Sequence, residues 1–393
     1  MKRLMISTLV AGAAFALAGT GAAATATPAP ASATAPAPGL AAIERVAEFD
    51  GAMPTGVTVS EDGRIFVNFP RWGDDVRYSV AEVRDGRTVP YPDAAFNREH
   101  ADPARGLISV QSVVADGRGR LWILDTAAPG FAAPKAGGAK LVAVDLKTDK
   151  VVKTVVFPPE VILPTTYVND MRFDFRVGAA GVAYVTDSSL TGPGAIIVID
   201  LATGKASRRL SGHPSTAPDP AFAARVDDKA LAGTGADGKP QPFTVASDGI
   251  ALSPDGETLY FCALSSRALY AVPTRLLRDP GASDADVARA VRYLGEKGAS
   301  DGLEADAAGN VYGGDYEHDA IRRLAPDGGW STIAQGPDLS WPDTLSVGPD
   351  GYLYVMANQL HRQAGFNGGV DARRKPYRLL RVKIGTAPAY AGQ

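Results

Sequence analysis

The sequence predicts an all-β fold, a six-bladed β-propeller preceded by a signal peptide and an Ala/Pro-rich linker. Three observations carry that prediction. Hydrophobic residues make up 45% of the 393 and charged residues only 21%, which supplies a large core and excludes a disordered chain. The 43 Gly and 29 Pro punctuate runs of Val, Ile, Leu and Tyr, a composition that favours many short strands over long helices. A strand, turn, strand phrase also recurs six times, and a recurring unit of about fifty residues is the mark of a stacked-blade architecture.

In chain order, residues 1–24 open with Lys2 and Arg3, continue with an apolar run from Leu4 to Leu17 and end in Ala22-Ala23-Ala24. That is the pattern of a secretory signal, with an apolar stretch too short to span a bilayer. No Cys lies near the expected cut, which argues against a lipid anchor. Residues 25–42, TATPAPASATAPAPGLAA, have nothing to bury and read as an extended tether. The expected location is therefore secreted or periplasmic, with no membrane association after cleavage. Without Lys2 and Arg3 the chain has 38 basic and 43 acidic residues, a net of −5, which argues against nucleic acid as a partner.

The propeller is expected over 43–386, followed by a tail at 387–393. Its six phrases are TGVTVSEDGRIFVN from Thr55, QSVVADGRGRLWIL from Gln111, NDMRFDF with GVAYVTD from Asn169, DGIALSPDGETLYF from Asp248, DGLEADAAGNVYGG from Asp301 and DTLSVGPDGYLYVM from Asp343. Their first residues are 56, 58, 79, 53 and 42 positions apart, and the long step holds the polar insertion from Ser211 to Phe243. Further strand-like runs, such as KLVAVDL and AIIVIDL, complete four strands per unit. A closed ring of blades also leaves no long open sheet edge. A β-helix or paired sandwiches would not explain six such units. Between Thr274 and Leu294 the pattern allows a short helix in a loop.

Asp62-Gly63, Asp255-Gly256 and Asp350-Gly351 fall between the paired strands and read as hairpin formers. The phrase-leading residues differ, because they precede the strand that lines a propeller's channel and so converge at its mouth. Thr55, Gln111, Asn169, Asp248, Asp301 and Asp343 are all polar but vary in type, as a ligand site does; the alternative is a ring that caps the blades and holds ordered water. Three converging carboxylates need a cation, a proton or donors to offset their repulsion. Hard oxygen donors including Asn169, Asp248 and Asp301 suit Ca²⁺ or Mg²⁺; the alternative is no cofactor. His100, His213, His318 and His361 do not cluster, although His361 follows the last phrase and is within reach of the mouth. Aromatic residues near the mouth, Phe69, Trp72, Tyr167, Tyr316 and Trp341, would suit a small ring-shaped ligand or would pack between blades. Cys262, the only thiol, lies in the apolar run TLYFCAL and reads as buried and inert. No Gly-x-Ser-x-Gly elbow or phosphate loop is present.

From about residue 50 to 384, the phrases PTGVTVSEDGRIFVNFPRW, SVQSVVADGRGRLWILDTA, YVNDMRFDF, SDGIALSPDGETLYFCALSSRALYAVPTRLLRD, SDGLEADAAGNVYGGDYEHDAIRRL and LSWPDTLSVGPDGYLYVMANQLHR resemble, in that order, the major royal jelly protein / yellow-related family. The resemblance implies a secreted six-bladed propeller whose bacterial members are described as L-dopachrome tautomerase-related, and whose other members bind small amines or serve as nutrient or structural proteins. More distantly, the chain is similar to gluconolactonase and regucalcin propellers, which hold calcium through a Glu, two Asn and an Asp. Asn169 and Asp301 match that pattern, Asp248 stands where an Asn is expected and Thr55 where the Glu is expected.

Three functions follow as expectations. One is a binding protein or isomerase for a small cyclic ligand, with Asp301 or Asp248 as proton-transfer base and Thr55, Gln111, Asn169, Asp343 and His361 around the ligand. The second is a metal-dependent lactonase in which the cation polarises a carbonyl and Asp301 activates water. The third is a non-catalytic binding propeller.

Overall fold

The computed structural model describes residues 39–235 and 237–390. The signal-peptide segment 1–24, most of the linker and the last three residues of the tail lie outside the described residues. The described chain forms a six-bladed β-propeller of six four-stranded antiparallel sheets. Blades 1 to 5 run in order from their inner strands, Gly56–Val59, Val110–Ala115, Val168–Asp174, Ser247–Leu252 and Leu303–Ala305, outward through three more strands each. Blade 6 takes three strands from the C-terminal part, Pro342–Val347, Tyr352–Ala357 and Tyr377–Lys383, and its outermost strand from the start of the described chain, Ile43–Phe49. That pairing, for example Phe49 with Tyr377, closes the ring by joining its two ends.

The hairpins have the turns that the sequence called for. Gly63, Gly256 and Gly351 all have positive φ, and the Asp255 carboxylate accepts from the Ser253 hydroxyl at 2.6 Å and the Glu257 amide at 3.0 Å. Apolar side chains fill the seams between blades. Trp122, Leu141 and Ala143 of blade 2 pack against Met171, Phe173 and Val185 of blade 3, with Trp122 and Phe173 rings 4.8 Å apart. Cys262 is fully buried, and burial pushes its thiol up to about 11, so it is an inert core residue. Two short helices, Thr274–Arg278 and Asp284–Arg289, occupy the loop between the third and fourth strands of blade 4; Ser283 caps the second with the Asp286 amide.

The inner strands form the wall of the central channel, and four of them carry a β-bulge at their first residues. Register shifts bracket Gln111, Asn169 and Asp170, Asp248 and Gly249, and Asp343 and Thr344. A bulge re-aims the side chain at the end of a strand, and here it does so at the channel mouth. The glycine of each Ser-Asp-Gly phrase allows adjacent inner strands to touch. A Cβ on Gly249 would lie 2.4 Å from the Asp301 carbonyl, and one on Gly302 would lie 2.6 Å from the Asp343 carbonyl.

The insertion between blades 3 and 4 forms two short hairpins, Arg225–Val226 with Lys229–Ala230 and Ala232–Thr234 with Pro240–Pro242. Ala224 and Val226 seat it in an apolar cluster with Phe49, Trp341 and Leu360. Among the described residues no helix is long and apolar enough to cross a membrane.

Candidate functional site

A cavity of about 380 Å³ opens at the mouth of the channel, beneath the insertion. Gln111, Asn169, Asp248, Asp301 and Asp343 line it, so five of the six phrase-leading residues come together. Thr55 does not. It pairs regularly, its amide donating to the Asn68 carbonyl at 3.1 Å, and its hydroxyl accepts from the Asn68 side chain at 2.9 Å, all fully buried. His361 is also outside the lining. Its ring stacks on Trp341 and bonds Asp227 of the insertion at 3.0 Å.

Each acid is held by a donor that sequence reasoning had not paired with it. Asp248 Oδ2 accepts from Asn169 Nδ2 at 2.6 Å and from the Ser188 hydroxyl at 3.0 Å. Asp301 Oδ2 accepts from the Trp341 indole at 2.8 Å, and Asp343 Oδ2 from Asn358 Nδ2 at 2.6 Å. Trp341 is itself clamped between Tyr316, with ring centroids 4.1 Å apart, and His361, and its backbone lies in the left-handed region at φ 57°.

The three carboxyls are almost fully buried, and that decides their chemistry. Burial raises Asp301 from the ordinary 3.8 to about 6, against the pull of the Trp341 indole and of a hydrogen bond shared with Asp248. Burial, together with the charges of Asp301 and Asp343, raises Asp248 well above its ordinary value; burial and Asp301 do the same to Asp343. Lys297, fully buried behind them, donates to the carbonyls of Ser266 and Gly298, and burial lowers its affinity for the proton. Among the described residues no Lys, Arg or His lines the cavity.

Opposite the acids stands an aromatic wall. Trp72 and Phe131 stack at 5.0 Å, Phe131 and Tyr167 at 4.5 Å, and the Trp72 indole donates to the Tyr167 hydroxyl at 2.8 Å, which in turn donates to Gln111 at 2.8 Å. Phe131, 40% exposed, ends the 3-10 turn Pro129–Phe131, which no repeat phrase marks. Trp72 and Tyr167 were legible, whereas Phe69 turns out to pack in the seam between blades 6 and 1. Phe243 of the insertion and Phe366 meet edge to face and roof the cavity. Below the acids, Arg172 spans the channel, donating to Asp170 at 3.0 Å and to the Leu303 carbonyl at 2.6 Å.

The donor set of Asn169, Asp248 and Asp301 has the hard oxygen chemistry a divalent cation prefers. Among the described residues no group of three or more His, Cys, Asp or Glu side chains could hold a metal ion.

The family model for major royal jelly protein matches residues 108–389. Protein yellow of Drosophila erecta is 31% identical over 245 residues, and that of Drosophila melanogaster 30% over 245 residues. Both alignments cover 58% of this chain but only 42% of those relatives' length. Among solved structures, a gluconolactonase from Xanthomonas campestris superposes with a TM-score of 0.52 at 13% identity, covering 87% of this chain and 90% of that one. The calcium-binding protein regucalcin from Agrobacterium tumefaciens gives 0.50 at 17% identity, covering 88% and 97%. At those identities the likeness is one of fold.

Proposed function

From the premise that the chain belongs to the major royal jelly protein family, we propose that it is a secreted or periplasmic propeller that binds a small cyclic organic ligand in the mouth cavity and isomerises it as a dopachrome tautomerase does. The observation that carries the reading is the pairing of an aromatic wall with three buried carboxyls in one 380 Å³ cavity. The wall takes a planar ring, and the acids take positive charge or exchange protons. Among the described residues no cation lies in the lining, so the ligand favoured is an aminochrome without a carboxylate, converted by the same type of proton transfer.

Tautomerising an aminochrome moves a proton from ring carbon to a heteroatom. At neutral pH Asp301 is largely ionised and acts as the base, while Asp248, whose proton affinity burial and the charges of Asp301 and Asp343 raise, acts as the acid. Asp301 takes the proton from carbon and Asp248 gives one to the heteroatom. Their shared hydrogen bond then returns the proton, so the pair ends as it began. Gln111 and Asn169 orient the ring, and Asp343 keeps the floor polar. The test is aminochrome decay and ligand affinity for wild type and Asp301→Asn; unchanged decay with purified protein, together with unchanged affinity in the variant, removes the reading.

A second reading, a metal-dependent lactonase, draws on the same three acids, whose mutual repulsion a Ca²⁺ or Mg²⁺ ion would offset. Asn169, Asp248 and Asp301 would hold the ion. Stoichiometric metal in purified protein and a rate abolished by chelator are its signature; metal-free protein indifferent to calcium eliminates it. Non-catalytic binding is the outcome if ligands bind but none is converted.

A further inference from the structure

Beside the roof of the ligand cavity lies a separate cavity of about 240 Å³, between the first hairpin of the insertion and the loop that follows the second strand of blade 6. Lys229, Arg362 and Arg374 line it, against a single acid, Asp227. That acid is already committed: it accepts from His361 Nε2 at 3.0 Å and from Arg362 at 3.0 and 2.7 Å. The side chains of Lys229 and Arg374 have no hydrogen-bond or acidic partner among the described residues, which leaves the cavity with two uncompensated positive charges. His361 also lines the cavity, and burial keeps its ring neutral, so it adds no charge. Its side chain is only 6% exposed and its Nδ1 is buried with no hydrogen-bond partner among the described residues, a state that carries a desolvation cost.

We infer that this cavity is a binding site for a small oxyanion, a phosphate or sulfate group, held by Lys229, Arg362 and Arg374. The two uncompensated cations, Lys229 and Arg374, converge from two loops beside the paired Arg362 and match a dianion better than a single-charge carboxylate, and Arg374 can present paired N–H donors to it. The site does not depend on what fills the main cavity. Phe366 lines both, so a bound anion lies one side chain from the ligand.

The test uses the whole mature protein and inorganic phosphate, with sodium chloride at matched ionic strength as control. Phosphate is expected to raise the melting temperature beyond the chloride effect and to bind by calorimetry. Lys229→Ala with Arg374→Ala should weaken that binding roughly tenfold, the sum of two exposed charge contacts; Lys229→Glu with Arg374→Glu should abolish it. Both side chains are exposed, so the unliganded melting temperature serves as the folding control. Phosphate acting no differently from chloride, or binding equally well to the Glu double variant, overturns the site.

Discussion

The substitution Asp301→Asn separates the chemistry of the site from its stability. An ordinary aspartate in the unfolded chain titrates near 3.8, whereas burial lifts folded Asp301 to about 6. The folded protein therefore holds that proton more tightly than the unfolded chain. The stability this confers is fully present below the unfolded value and is lost as pH rises from 3.8 through 6. At about 1.36 kcal/mol per unit, keeping Asp301 ionised in the fold costs about 3 kcal/mol at pH 7.5 and about 1 kcal/mol at pH 4.5. Asparagine has nearly the same shape, can still accept from the Trp341 indole, and cannot ionise. The variant should melt about 4 °C higher than wild type at pH 7.5, given the unfolding entropy of a domain this size, and about a third as much higher at pH 4.5. Differential scanning calorimetry at the two pH values reads both numbers, and an aminochrome assay on the same samples should show the activity gone. An equal gain at both pH values, or a loss at pH 7.5, refutes the reasoning. A loss would mean that the carboxylate is compensated in the folded protein, as a bound cation would compensate it.

Trp341→Phe keeps the stack on Tyr316 but removes the indole donor, so Asp301 should titrate about one unit higher in carbon-13 carboxyl spectra; an unmoved midpoint denies Trp341 its part in setting the base. A decarboxylated aminochrome or a simple aromatic amine should bind at least about tenfold more tightly than its carboxylate-bearing analogue by calorimetry, because nothing in the lining offsets a negative charge. Phe131→Ala should weaken a ring-shaped ligand about fivefold while leaving denaturant stability within about 1 kcal/mol, since the side chain is half-exposed and touches mainly the other two rings of the wall. Lys140→Met should destabilise the protein by about 3 to 5 kcal/mol in urea, because it strands the fully buried Asp125 carboxylate, now 2.7 Å from the ammonium.

Local chemistry made the propeller readable and long-range geometry hid much of its site. The hairpins announce themselves because an Asp-Gly turn and the alternation beside it lie within a dozen residues, so six copies can be counted without knowing how they assemble. Ring closure has no such signal, since Ile43–Phe49 pairs with Tyr377–Lys383 across almost the whole chain. The phrase-leading positions were found by spacing, but spacing is blind to bulges. Gln111, Asn169, Asp248 and Asp343 sit in bulges and reach the cavity, whereas Thr55 sits in regular pairing and turns toward Asn68. His361 lies close to the mouth in sequence, yet Trp341 stands between it and Asp301. Phe131, Ser188 and the roof of the insertion were invisible because only the fold brings them to the acids. The repeated Ser-Asp-Gly carries one further piece of information that composition alone does not. Its glycine is required where one inner strand leans on the next carbonyl, so the acid before it is held beside its neighbour's acid and almost fully buried. Close approach of the backbones and proton affinity of the carboxyls are thus two consequences of the same two-residue choice. Gly302→Ala should accordingly disturb the Asp301 titration as well as the packing.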